Sequence, residues 1–326
     1  MKFLVTGGAG FIGSHVVDRL VADGHTVRVL DDLSTGRREN LASVRSRIDF
    51  IEGDIRDLAA VTRACGGVDA VIHEAAWRSV PRSMHDPRGY TEVNVVGTVN
   101  LLDAAVRAKV RRFVCISSSS VYGDSNPMPL REDQPARPIS PYAASKLGAE
   151  LFCGLFARSF GIDTVCLRYF NVFGPRQSLE NEYAVVVPKF ITCLLRGESP
   201  PVYGDGQQSR DFTYVDNVVD ATLLAATTPG ISGEVFNVAL GEGHTVLELL
   251  RELQAILGVS IPPVFQPARH GDMRRTLADP SNARRALTWQ GRVTFTEGLR
   301  RTVEWFRHNQ PVSSVSSVPR SLPSSP

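Results

Sequence analysis

Cysteine is scarce and scattered in this chain. Of 326 residues only five are cysteines, Cys65, Cys115, Cys153, Cys166 and Cys193, with no Cys-x-x-Cys pair and no spacing that joins them to the seven histidines as a metal site. They read as small apolar residues in a reducing compartment, so a cytoplasmic protein without a metal is expected. An excess of one charge is also lacking: 36 Lys and Arg face 34 Asp and Glu, a net charge of +2 with both signs interspersed, which excludes the electrostatic footprint of a nucleic-acid or membrane-surface binder. No apolar run approaches the ~20 residues that span a bilayer, and strand-like residues begin at Lys2, so neither a membrane span nor a signal peptide is expected. No repeat is visible. Only residues 309–326, rich in Ser, Pro and Val, lack any helical or strand period, and a disordered tail is expected there.

What the chain does have is 43% hydrophobic residues in a regular alternation. Short apolar runs at Phe3–Val5, Thr26–Leu30, Phe50–Ile51, Ala70–His73, Phe113–Ile116 and Thr164–Leu167 alternate with amphipathic stretches, the signature of an α/β fold with a doubly wound parallel sheet. Ligands of such sheets sit outside the carboxyl ends of the strands, where Asp31, Asp54, Ala75, Ala76, Ser117–Ser120 and Asn171 all fall. Beyond Gly174 the alternation fades, although Val235–Val238 reads as a strand returning to the sheet. The expected division is a cofactor domain over 1–173 with returning elements near 212–240, and a smaller α/β substrate lobe over 174–211 and 241–308. Helical stretches at Val93–Ala108 and Ala143–Phe160 carry more apolar surface than one sheet face needs. A homodimer through a helix bundle, or ordinary core packing, accounts for that surplus.

The first run leads directly into Gly7-Gly8-Ala9-Gly10-Phe11-Ile12-Gly13 and then a helix. Glycines there let the backbone approach a pyrophosphate, and the helix start offers unpaired N–H groups and its positive dipole end to the same anion. The second run delivers Asp31 about 20 residues on, where a carboxylate bonds the adenosine ribose hydroxyls and repels a 2'-phosphate, so NAD is expected rather than NADP. Further along, Tyr142 and Lys146 stand one helical turn apart. Tyrosine normally ionises near pH ~10, so as a base it needs positive charge beside it, which Lys146 can supply. Ser118, at a strand end, can share the proton of the same substrate hydroxyl.

Together these residues resemble the extended short-chain dehydrogenase/reductase family, and within it the nucleotide-diphosphate-sugar 4-epimerases, from Met1 to about Phe306. The matching pieces include Gly7–Gly13, Asp31-Asp32-Leu33-Ser34-Thr35-Gly36, Gly53-Asp54-Ile55, Asn94-Val95-Val96-Gly97-Thr98, Ser117–Gly123, Ser140-Pro141-Tyr142, Arg168-Tyr169-Phe170-Asn171, Tyr203-Gly204-Asp205-Gly206, Ser209-Arg210-Asp211-Phe212 and Gly271-Asp272. The resemblance implies a Rossmann sheet and NAD held by Gly7, Gly10, Phe11, Ile12, Gly13, Asp31, Asp32, Ser34, Thr35, Gly36, Asp54, Ile55, Ala75, Ala76, Arg78, Asn94 and Tyr169, together with Tyr142 and Lys146. It also implies a UDP-sugar partner touched by Ser79, Ser118, Ser119, Ser120, Asn171, Val186, Asp272 and Thr276, with Tyr203 near the uracil and Arg210 and Arg269 on the diphosphate.

Ser118, Tyr142 and Lys146 would then be catalytic, and C4 would invert through a 4-keto sugar. Related 4,6-dehydratases carry an Asp-Glu pair after the catalytic hydroxyl, where this chain has Ser119 and Ser120. Dehydration is disfavoured for that reason, while UDP-glucuronate epimerisation or decarboxylation stays open. A small residue at Thr276 admits an N-acetyl group, so UDP-Glc/UDP-Gal and UDP-GlcNAc/UDP-GalNAc are both expected pairs. A non-catalytic NAD-binding regulator is disfavoured by the retained tyrosine and lysine.

Overall fold

The structure is a computed structural model, and it describes residues 1–178, 186–268 and 273–309. In chain order the first elements are β1 (Lys2–Thr6), α1 (Phe11–Ala22), β2 (Thr26–Asp31), β3 (Ile48–Glu52), α2 (Leu58–Cys65), β4 (Ala70–His73), α3 (Val80–His85), α4 (Pro87–Thr91), α5 (Gly97–Arg107), β5 (Arg112–Ser118), α6 (Pro141–Phe160) and β6 (Asp163–Tyr169). Then come β7 (Val172–Phe173), α7 (Val186–Leu195), β8 (Pro201–Tyr203), β9 (Ser209–Arg210), β10 (Thr213–Tyr214), α8 (Val215–Thr227), β11 (Val235–Val238), β12 (His244–Thr245), α9 (Val246–Leu257), β13 (Val264–Gln266), α10 (Ser281–Ala286) and α11 (Phe295–Asn309).

Seven strands form one parallel sheet in the order β11-β6-β5-β4-β1-β2-β3. The order reverses between β1 and β4, which places the crevice of a doubly wound sheet at the carboxyl end of β1. Successive side chains alternate between the two faces. Phe3 and Val5 enter a core with α1 and α8, whereas Leu4 enters a second core with α2, α5 and α6. Both faces are thus covered, which is why the strands read as continuous apolar runs. The returning strand is real: β11 pairs with β6, Phe236 opposite Leu167. Elements beyond residue 240 have no separate core, since Leu249, Trp289, Phe295 and Val303 belong to the cluster that contains Val5 and Val17.

The helix that carries the tyrosine is well specified by its ends. Ser140 caps it, accepting from the Ala143 amide at 3.2 Å, Pro141 occupies its first turn, and Gly161 closes it at φ +69°. The stretch expected as one helix over Val93–Ala108 is interrupted, because residues Glu92–Val96 form a π-turn between α4 and α5. Among the described residues no helix is long and apolar enough to cross a membrane. α11 runs through Asn309, and the tail expected beyond it lies outside the described residues.

Candidate active site

The loop between β1 and α1 is built for close approach. Gly7 has φ +67°, and a Cβ on it would lie 2.6 Å from the Ala75 amide nitrogen; a Cβ on Gly13 would overlap the Gly7 carbonyl. At the end of β2 Asp31 is 6% exposed, accepting from the amides of Ala9 at 2.8 Å and Leu33 at 2.9 Å. Burial pushes its carboxyl up, against those two bonds. A Cβ on Gly36 would meet the same carboxylate at 2.7 Å. Asp32 accepts from both the amide and the hydroxyl of Ser34, at 2.9 and 2.6 Å. Arg38 is drawn aside by Glu52 and stacks over Phe50 at 4.7 Å.

These groups face one cavity of about 510 Å³. Its walls bring together Gly7, Gly10, Phe11, Ile12, Gly13, Asp31, Asp32, Ser34, Thr35, Asp54, Ile55, Ala75, Ala76 and Arg78 of the expected cofactor set. Asp54 is ion-paired with Arg56 at 2.5 Å, which holds its carboxyl below the usual range. The walls also include Glu74, Arg176 and Gln177, and Trp305, Phe306 and Asn309 from the end of α11, none of which the sequence singled out. Arg176 pairs with Asp18 through Nη2 at 2.6 Å, while its Nη1 and the Oε1 of Gln177 are buried without a hydrogen-bond partner. A glycine cradle, a ribose-type carboxylate and an orphaned guanidinium nitrogen suit a dinucleotide.

Asn94 and Tyr169 stand differently from the wall residues. Asn94, 2% exposed, accepts from the Trp77 amide at 2.8 Å and donates to the Trp77 carbonyl at 3.0 Å and the Ser145 hydroxyl at 2.9 Å. Its side chain therefore shapes the wall through Trp77. The Tyr169 hydroxyl donates to Glu74 Oε1 at 3.0 Å and meets Thr222 Oγ1 at 2.6 Å.

Ser118, Tyr142 and Lys146 are not among the residues that line this cavity. Tyr142 and Lys146 share a face of α6; the lysine is 6% exposed, and the tyrosine ring stands edge-on to Tyr90 at 6.3 Å. Of the wall residues, burial lowers the Arg78 guanidinium against the pull of Tyr142, and burial raises the Glu74 carboxyl against the Tyr169 bond and Lys146. Ser118 ends β5, accepting from the Ser120 amide at 3.2 Å and bonding the Ser120 hydroxyl at 3.1 Å, while Ser119 is buried. Ser117 instead donates to Glu150, which is held by Arg168 through contacts of 3.0 and 2.8 Å. Ser79 opens α3 at φ +136°, a strained conformation for a non-glycine residue, and accepts from the Arg82 amide at 3.3 Å.

Of the expected sugar-nucleotide set, Asn171 adopts φ +35° and donates to Thr276 Oγ1 and the Asp211 carbonyl, both at 3.4 Å. Thr276 is 1% exposed. Tyr203 lies on β8, Arg210 on β9 with a guanidinium bond to the Ser209 carbonyl at 2.8 Å, and Val186 at the start of α7. Arg269 and Asp272 lie outside the described residues. Three of the scattered cysteines prove to be neighbours: the sulfurs of Cys115, Cys153 and Cys166 all lie within 4.8 Å of one another, buried between β5, α6 and β6.

Comparison with known proteins agrees with this geometry. A family model described as the NAD dependent epimerase/dehydratase family matches residues 3–239. A UDP-glucose 4-epimerase of Mycolicibacterium smegmatis is 44% identical over 313 residues, 94% of this chain and 99% of that protein. Among solved structures, a UDP-N-acetylglucosamine 4-epimerase from Methanobrevibacter ruminantium in complex with UDP-N-acetylmuramic acid superposes with a TM-score of 0.91 at 41% identity, covering 95% of this chain and 99% of that one. A UDP-glucose 4-epimerase of Thermotoga maritima with UDP-glucose gives a TM-score of 0.90 at 40% identity, with 94% and 99% covered.

Proposed function

The chain belongs to the NAD dependent epimerase/dehydratase family, and from that premise we propose that it inverts C4 of a UDP-hexose or UDP-N-acetylhexosamine through a transient 4-keto sugar. The observation that carries this reading is the pairing of Tyr142 and Lys146, one turn apart on α6, with a cavity walled by the glycine loop and Asp31. Bound NAD supplies a reversible hydride acceptor. The glycine loop and Asp31 hold its phosphates and ribose, and Trp77, fixed by Asn94, shapes the wall.

Tyr142 takes the proton of the sugar 4-hydroxyl, with Lys146 stabilising the phenolate and Ser118 bonding the same hydroxyl. After the keto sugar has turned, Tyr142 gives the proton back to O4, and the hydride would return to the opposite face of C4, which inverts the centre. No net oxidation occurs, so the cofactor stays in place. At the position where dehydration would need a carboxyl pair, Ser119 and Ser120 offer only hydroxyls.

We assign residues 1–173 with 212–240 to the cofactor unit, and 174–211 with 241–308 to the lobe that receives the sugar nucleotide. We assign Tyr203 to the uracil, Arg210 and Arg269 to the diphosphate and Asn171, at the edge of the lobe, to the neighbourhood of the phosphates, with Val186, Asp272 and Thr276 as further substrate contacts. A small, buried Thr276 removes a clash with an N-acetyl group, which supports UDP-GlcNAc/UDP-GalNAc beside UDP-Glc/UDP-Gal. Leu151 and Leu155, one turn apart on α6, are 65% and 41% exposed and Val96 is 47% exposed, an apolar surface that a second copy of the chain would cover as a homodimer. The five free thiols fit a reducing cytoplasm.

The deciding experiment incubates the purified protein with UDP-GlcNAc without added NAD and quantifies UDP-GalNAc, then repeats it with UDP-glucose and UDP-glucuronate. Tyr142→Phe should lower turnover by roughly 10²–10⁴-fold while cofactor remains bound. Full activity in that variant refutes the mechanism, and product only from UDP-glucuronate refutes the substrate class.

A further inference from the structure

Glu74 is a carboxyl that the roles above leave without a task. It follows β4 directly and lies in the wall of the cofactor cavity. Its Oε1 accepts the Tyr169 hydroxyl at 3.0 Å, and that hydroxyl also meets Thr222 of α8 at 2.6 Å. No Arg or Lys forms an ion pair with it among the described residues. Lys146 of α6, Cys115 of β5 and Tyr169 of β6 are ionisable groups that bear on it electrostatically. Glu74 is half-buried, with one hydrogen bond and no paired cation, and desolvation pushes its carboxyl up to about 7, against the Tyr169 bond and Lys146.

We propose that Glu74 is the charge-balancing residue of the cofactor site: it carries a negative charge while the nicotinamide is oxidised and takes up a solvent proton while the nicotinamide is reduced. This rests on the reading of the cavity as the NAD site. The argument is electrostatic reciprocity. A cationic ring in a low-dielectric cavity favours an anionic carboxyl in its wall, and a neutral ring does not, so one proton enters at Glu74 as the ring loses its charge. No bond to the sugar is involved: the sugar's own proton goes to Tyr142, and the proton at Glu74 comes from water.

Lys146 then faces an anion on one side and Tyr142 on the other. Its positive charge is shared between them before hydride transfer, and after it the protonated Glu74 no longer draws on it. The residue would thus set the balance between oxidised and reduced cofactor without touching substrate, and linkage fixes the sign. A proton bound more tightly in the reduced complex means that rising pH favours the oxidised cofactor.

The test uses the full-length protein equilibrated with an excess of NAD and NADH at a fixed ratio, between about pH 6 and 9, with the bound reduced fraction read from nicotinamide fluorescence. The bound reduced-to-oxidised ratio should fall as pH rises, by up to about tenfold per pH unit for one coupled proton, and Glu74→Gln should abolish most of that fall. A flat ratio in the wild-type protein overturns the proposal. So does a slope that survives Glu74→Gln, because it then belongs to Tyr142 or Lys146. Should Glu74→Gln fail to fold, Tyr169→Phe removes the bond that favours the carboxylate and should move the fall to higher pH; an unmoved fall overturns the proposal. No sugar nucleotide enters the measurement, so a failed epimerase assay and a failed Glu74 proposal are separate results.

Discussion

Replacing Glu150 by Gln tests whether the buried ion pair behind Ser118 holds the catalytic elements together. Glu150 on α6 and Arg168 on β6 are 5% and 6% exposed in their side chains and are joined by two bonds of 3.0 and 2.8 Å. Ser117 of β5 donates to the same carboxylate, and the guanidinium stacks on Tyr122 at 4.6 Å. The pair therefore ties together the three elements that carry Ser118, Tyr142 and Tyr169.

Gln keeps the shape and one acceptor but leaves Arg168 charged and buried, and its Nη1 already lacks a partner. Breaking such a pair from one side costs about 3–5 kcal/mol, a large share of the ~5–15 kcal/mol that keeps a typical protein folded. Urea unfolding followed by the fluorescence of buried Trp289 should report that loss. Turnover should fall as well, because Ser118 and Tyr142 lose their common anchor. Joint replacement, Glu150→Leu with Arg168→Met, should recover most of the stability. A loss below about 1 kcal/mol in Glu150→Gln, the scale of exposed pairs, would falsify the claim that the pair is desolvated.

Three further outcomes are expected. Gly7→Ala combines a φ of +67° with a Cβ 2.6 Å from the Ala75 amide, so it should abolish cofactor retention in extracted protein, whereas Gly24→Ala, at φ +80° with open space, should cost only about 1 kcal/mol and keep the cofactor. His73, fully enclosed and bonded to the Thr6 and Thr98 hydroxyls, has its pKa lowered by burial to about 4. Its neutral form is the folded one, so the stability it protects is present above about pH 6.5 and about 3 kcal/mol of it is lost as pH falls toward about 4; His73→Gln should flatten that acid limb in urea titrations. Leu151→Glu places a charge on the exposed face of α6 and should halve the mass measured by light scattering, while an unchanged mass argues against this face as the dimer interface.

The parallel sheet, its returning strand and the glycine loop were legible in the sequence because each rests on local pattern: apolar runs buried on both faces, and glycines at fixed offsets. Asp31 and the Tyr142–Lys146 spacing were legible for the same reason. Glu74 was not, because an acid between His73 and two alanines looks like the polar end of a strand until Tyr169, from a strand two places away in the sheet, closes on it. The Cys115–Cys153–Cys166 cluster depends on the β5–β6 register that sets Cys115 opposite Cys166, and no spacing rule contains that register. The π-turn at Glu92–Val96 reads as ordinary helix in sequence; its effect is that Asn94 faces Trp77 and Ser145 together. The motif singled out Asn94 as a cofactor contact, while its bonds to Trp77 and Ser145 come from the fold.

The wall that Trp305, Phe306 and Asn309 contribute joins α11 to the same cavity as the glycine loop between β1 and α1. A dinucleotide held there would touch elements far apart in the sequence and lean on the packing of both. Loosening α11 would open the cavity on one side, so retention of the cofactor reports on how firmly that helix is docked as well as on the glycine loop.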